Sequence, residues 1–260
     1  MLEDWLLNLP LVWLALVIFG GSYLLAAGIY VLVTRPAFKD RMPGELSSSM
    51  LPTLGIIFAL LVGFIAAQVW NDFDRAKLAV ATEASALRAA LLLAEGLPAE
   101  QTQNLSAHID RHIDTTLQDD WPAMAQQRAT LASAPTALIE ALKAVLAMPV
   151  TTEGQRTAQQ EIVKSLETAL ESHRQAIVIS HSRVSSLKWA GLLLQALCTL
   201  IAIGLVHNAS PRLCGVALGL FATGIAVSVL LIAAYSRPFT GDISVDAGLL
   251  KEVQATLGDK

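Results

Sequence analysis

The chain has 260 residues, 54% of them hydrophobic and only 15% charged, with a formal net charge of −4. Soluble domains carry about a quarter charged residues, so the deficit excludes an ordinary soluble globule and points to a membrane. The acidic balance excludes a general nucleic-acid binder, which needs clustered Lys and Arg against phosphates.

Four stretches reach the roughly 20 apolar residues that a bilayer core requires of a helix. They are residues 11–33, 51–70, 187–206 and 213–235, and none carries Asp, Glu, Lys or Arg in its interior. The first is too long for a removable leader and has no basic segment before it. The expected fold class is therefore all-α, a four-span integral membrane protein. Its expected organisation is spans one and two in 1–70, a helical extramembrane region in 71–186, and spans three and four with a tail in 187–260. Two cysteines, Cys198 and Cys214, sit in apolar segments and read as buried thiols rather than a disulfide framework or zinc site.

Short-loop charge sets orientation. Arg35, Lys39 and Arg41 lie between spans one and two, and Arg212 lies between spans three and four. The N-terminal "MLEDW" has no base, and the C-terminal segment starts with only Arg237. Arg75, Lys77, Arg183 and Lys188 flank the long segment, but long domains largely escape the rule. Both termini and the helical region are thus expected outside the cytoplasm of a bacterial inner membrane. Trp70, Trp189 and Tyr235 would form an interfacial belt on that side.

Span two has a stripe that carries no charge before Asp72. Ile57, Leu61, Phe64, Gln68 and Asp72 recur at helical spacing, with Thr53 before them and Arg75 after. Around an axis of identical helices, Ile57, Leu61 and Phe64 would stack as an apolar constriction that gates by dewetting. Gln68 and Asp72 would then ring the outer mouth. The plainer role for the same residues is contact with lipid or sibling helices.

Beyond Trp70 the chain continues without a breaker. Val80, Ala84, Leu87, Leu91 and Ala94 form a bundle seam, ended by Gly96 and Pro98. Leu105, Ile109, Ile113 and Leu117 stripe a second helix, ended by "DDWP". A short helix is expected after Pro122 and another from about 135 to 148. Thr152 and Gln155 predict a capping box, after which the absence of proline suggests one helix from about 153 to 206. Spans two and three would each continue as stalks, projecting roughly 35–50 Å.

The span ending in "VWNDFDRAKLAVATEASAL", the "DDWPAM" within the helical region and the closing "RPFTGDISV" together resemble the bestrophin-like membrane-protein family, otherwise catalogued as a domain of unknown function. The carrying positions are Val69, Trp70, Phe73, Ala76, Glu83 and Ala84, with Phe73 where Tyr is common. The resemblance implies likeness to bestrophins, homo-oligomeric anion channels whose second span lines a hydrophobic neck. In bestrophins the region between spans two and three is cytosolic, whereas the short-loop charges here place it outside.

Enzyme signatures are missing: there is no Walker loop, dinucleotide fingerprint, HExxH or Gly-x-Ser-x-Gly. "HIDRH" sets His108 and His112 one turn apart, and His173 and His181 on the return helix could add a ligand. Beside Asp110 and Asp114 this reads as a polar helix face, so no metal or cofactor is expected. Asp119 and Asp120 read as negative charge at the start of the next helix. In span four, Gly215 and Gly219 form a GxxxG for close packing. "RPFTGD" reads as a structural clasp, with Phe239 as anchor and Arg237 at headgroups. The expected function is a non-enzymatic homo-oligomeric ion channel in contact with lipid and inorganic ions. The alternative is a scaffold or sensor that binds a partner or ligand through its helical region.

Overall fold

The computed structural model describes residues 10–36, 48–131 and 135–258. Lys39, Arg41 and the N-terminal "MLEDW", used above for orientation, lie outside the described residues. The described chain is built of helices: α1 Leu11–Thr34, α2 Met50–Ala94, α3 Ala99–Thr115, a π turn Thr116–Asp120, α4 Trp121–Ala125, α5 Thr136–Leu146, α6 Glu153–Ser180, α7 Ser186–Val206, α8 Pro211–Tyr235 and α9 Gly248–Gly258. Helices α1, α2, α7 and α8 are long and apolar enough to cross a membrane. The protein is an all-α, four-span membrane protein.

Two compact units result. The first comprises residues up to 71, then 183–236 and 241–243; the second comprises 72–182, 237–240 and 244–260. In the first, α1 packs on α7 and α8, and α7 packs on α8. Gly204 marks the closest approach: a Cβ there would meet Ile29 Cγ2 at 3.1 Å and Val33 Cγ2 at 3.3 Å. A Cβ on Gly215 would only touch Tyr30, at 3.6 Å, while Gly219 faces open space. The membrane half of α2 joins this unit through Phe58, whose ring is 5.4 Å from Phe221, and through buried Ile65 and Val69. Trp70 meets Tyr235 edge-on at 6.5 Å. Cys214 is buried against Gly204 O, but Cys198 is exposed, because its face of α7 turns away from the other helices.

The second unit is a helical bundle. Its core takes Ala76, Val80, Ala84, Leu87 and Ala94 from α2, Leu105, Ile109 and Ile113 from α3, and Ile162, Leu166 and Ala169 from α6. Alanines dominate the α2 face, which brings neighbouring backbones close and leaves room for larger side chains opposite. The capping box forms: Thr152 Oγ1 accepts from Gln155 N at 3.2 Å, and Gln155 Oε1 accepts from Thr152 N at 3.3 Å.

Helix α2 runs unbroken for 45 residues, more than twice what a span needs. The continuous helix expected over 153–206 does not form. Helix α6 ends at Ser180, and α7 begins at Ser186, where the Ser185 hydroxyl accepts from Lys188 N at 3.4 Å. Ser185 is the N-cap of α7 and favours a new start there, without proline or glycine to mark the break.

The closing segment also differs from expectation. Phe239 is not a membrane anchor; it is buried and meets Trp121 edge-on at 5.3 Å. Thr240 Oγ1 donates to Ala125 O at 2.5 Å, and Val245 N donates to Pro238 O at 2.7 Å. Gly241 supplies the φ of +87° that the turn needs and that side chains disfavour. Helix α9 then packs on α3, with Gln254 Nε2 donating to Asp110 Oδ1 at 3.1 Å and Asp114 Oδ1 at 2.6 Å.

Candidate functional site: a span-two stripe and a buried charge cluster

On α2 the residues facing the first unit's core are Phe58, Ile65 and Val69. Of the expected stripe, Leu61 packs partly against the same core, and Ile57 and Phe64 lie further round the helix. Ile57 is 48% exposed and Phe64 is 73% exposed, while Leu61, Gln68 and Asp72 are half-buried. Lys188 Nζ donates to Gln68 Oε1, bringing a cation to the part of the stripe that carries no charge of its own. No charged residue occurs in α2 between Met50 and Asn71.

The second unit holds a cluster of different character. Glu83 sits in the middle of the alanine-rich face of α2 and is buried with His112 of α3 and His173 of α6. The Glu83 Oε1 atom accepts from His112 Nε2 at 2.8 Å and from His173 Nδ1 at 3.1 Å. The two imidazoles stand edge to face, with ring centres 5.1 Å apart. On its far side His173 Nε2 lies 3.3 Å from Asp120 Oδ2.

The π turn explains how Asp120 reaches this place. Eight residues of α-helix from His112 to Asp120 would overshoot two full turns by roughly 80°. Taking one extra residue into the Thr116–Asp120 turn cancels most of that drift and returns Asp120 to the His112 face. Thr116, one turn from each, lies on the same face, and its buried hydroxyl has no partner among the described residues. Asp120 stands at the start of α4 as expected, makes no capping hydrogen bond there and faces His173.

Burial opposes the charge of Glu83, but the hydrogen bonds from His112 and His173 outweigh it and hold its pKa down to about 2. Burial likewise opposes protonation of His173, but Asp120 first and Glu83 second raise its pKa to about 9. The resulting Glu83 carboxylate and His173 imidazolium predict a pH window for the stability of metal-free protein. The Glu83 contribution is complete above its ordinary 4.5 and is lost as pH falls toward about 2. The His173 contribution is complete below its ordinary 6.5 and is lost as pH rises through about 9. Thermal unfolding of chelator-treated protein should thus show a maximum between these ordinary values and an alkaline decline. The decline should shrink in Asp120→Asn; a flat alkaline limb in the wild type contradicts the assignment.

Of the histidines singled out in the sequence, His112 and His173 meet and the others do not. His108 Nδ1 faces Glu140 Oε2 at 3.6 Å, beside Arg111 Nη1 at 3.4 Å from the same oxygen. His181 Nε2 donates to Ala129 O at 2.5 Å. Glu83 enters the site without having been read as a site residue; its signals are its place among the positions that carry the family resemblance and a carboxylate interrupting an alanine seam.

A Bestrophin-like domain model matches residues 20–248. The chain belongs to the Bestrophin-like family. Solved structures of a bacterial bestrophin homologue from Klebsiella pneumoniae share the fold of this bestrophin-like chain. One, carrying a tryptophan-to-alanine substitution, has a TM-score of 0.75 at 14% identity, covering 93% of this chain and 96% of that one. Another, with a leucine-to-threonine substitution, has a TM-score of 0.75 at 15% identity, covering 94% and 98%. A third, with a tyrosine-to-alanine substitution, has a TM-score of 0.72 at 16% identity, covering 92% and 97%. No curated protein matches the bestrophin-like chain.

Proposed function

We propose that this protein is the subunit of a homo-oligomeric, bestrophin-type ion channel, with span two lining the pore. The observation that carries this reading is the outward stripe of α2: Ile57 and Phe64 stand exposed on a charge-free span that needs no such residues for its own core. Membership of the Bestrophin-like family supports it. In a ring of subunits, Ile57, Leu61 and Phe64 form the apolar neck, and Gln68 and Asp72 form the polar mouth. Lys188 on Gln68 adds a positive charge to the polar mouth. The deciding experiment is reconstitution into liposomes with ion-flux recording. Flux that responds to Phe64 and Leu61 supports the reading; a monomeric, non-conducting protein overturns it.

The scaffold or sensor reading is favoured by the buried Glu83–His112–His173 cluster, which lies outside the spans. It would leave flux absent while changes in the helical region abolish partner capture.

The short-loop charges further support a non-cytoplasmic helical region and termini. Lys164 is a surface residue of α6, 76% exposed, and suits a labelling test. In a background with Cys198 and Cys214 replaced, Lys164→Cys should react with an impermeant maleimide in intact spheroplasts. Labelling only after lysis reverses the orientation.

A further inference from the structure

We infer that Glu83, His112 and His173 form a binding site for a divalent first-row transition-metal ion, zinc being the natural probe, with Asp120 orienting His173. The site is distinct from the span-two stripe and does not depend on the channel reading.

Three side chains from three helices converge with one ligand atom each: a carboxylate oxygen and two imidazole nitrogens, all within 4.8 Å of one another. Ligands held about 2.0–2.1 Å from a tetrahedral zinc stand roughly 3.4 Å apart. The observed 2.8 Å and 3.1 Å separations from Glu83 Oε1 need open by only a few tenths of an ångström. Two imidazoles and a carboxylate suit zinc and its first-row neighbours and are too nitrogen-rich for magnesium or calcium.

A second, independent feature points the same way. His173 turns Nδ1 toward Glu83 and Nε2 toward Asp120, at 3.1 Å and 3.3 Å. A ligating histidine characteristically presents its other nitrogen to a carboxylate, which fixes the ring and raises its basicity. The charges also balance: two carboxylates neutralise one divalent ion when both imidazoles are neutral. Access comes from one side. The side chains of Glu83, His112 and His173 are at most 2% exposed, whereas Asp120 on the π turn is 18% exposed. The partnerless Thr116 hydroxyl, between His112 and Asp120 on the same face, leaves an oxygen for a water on an open metal position.

The test uses the full-length protein in detergent, stripped with a chelator and titrated with zinc against a chromogenic competitor. One zinc per chain and a raised melting temperature are expected. His112→Asn and His173→Asn should each abolish uptake, and Asp120→Asn should weaken it by ~10–100-fold. His108→Asn and His181→Asn should leave it unchanged. Should a ligand variant fail to fold, X-ray absorption of the zinc-loaded wild type decides without mutation: two imidazoles and one oxygen donor are expected at about 2.0–2.1 Å. Absent uptake, a zinc shell without imidazole, or full uptake by folded His112→Asn and His173→Asn overturns the site.

Discussion

In liposomes, Phe64→Ala combined with Leu61→Ala should raise ion flux on the order of tenfold above the wild type, because each tenfold needs only about 1.4 kcal/mol off the barrier. In the proposed pore an apolar neck would resist ions by excluding water, with a barrier that scales with apolar surface that cannot be hydrated. Phe64 supplies most of that surface, being 73% exposed on its helix. A phenylalanine side chain is worth roughly 1.5–3 kcal/mol in transfer from water, so losing one per subunit exceeds the required amount. Asp72→Asn should leave the neck alone and shift the reversal potential toward anion permeation, since it removes the carboxylate of the proposed mouth. Flux unchanged by the double alanine variant would falsify a pore built on span two. Flux that rises while selectivity ignores Asp72 would keep the neck and move the selectivity determinant elsewhere.

The spans were legible because their signal is one-dimensional. Absence of charge over about 20 apolar residues suffices, and α1 and α7 begin and end within a residue of the spans read at 11–33 and 187–206. The α2 seam was legible for the same kind of reason: Val80, Ala84, Leu87 and Ala94 recur at bundle spacing and are buried. The break at 181–185 was not, because it holds neither proline nor glycine and a Ser185 N-cap is a weaker mark. The cluster was least legible. His112 is 29 residues from Glu83, and His173 is 90 residues from it, so only the bundle brings them together. The local spacing of His108 and His112 pointed to a pair, but His108 turns to Glu140 on the neighbouring α5. Asp120 was hidden twice, since a π turn leaves no residue signature and an ideal helix would carry the side chain away from His173.

Glu83→Ala in chelator-treated protein should cost about 3–5 kcal/mol, the usual loss when one partner of a buried ion pair is removed. For a protein of this size that is a fall in melting temperature on the order of 10 °C. The loss arises from His173, left as an imidazolium or forced neutral with Nδ1 unpaired, and from His112, whose Nε2–H loses its acceptor. Glu83→Gln keeps an oxygen for one imidazole but not the charge, so its loss should be smaller. The informative variant replaces the whole set: Glu83→Met, His112→Leu and His173→Leu together. Exchanging a buried ionic group for apolar side chains of similar volume is often neutral or stabilising by about 1–4 kcal/mol. The surrounding Ala79, Ala84, Ile109, Ile113, Ala169 and Ala176 already form a continuous apolar core to receive it. The triple variant should therefore melt at or above the wild type while binding no zinc. A triple variant as unstable as Glu83→Ala would mean that the charges specify the packing of α2, α3 and α6. A stable one separates the two roles: folding does not require the cluster, and its two imidazoles and two carboxylates then serve the metal.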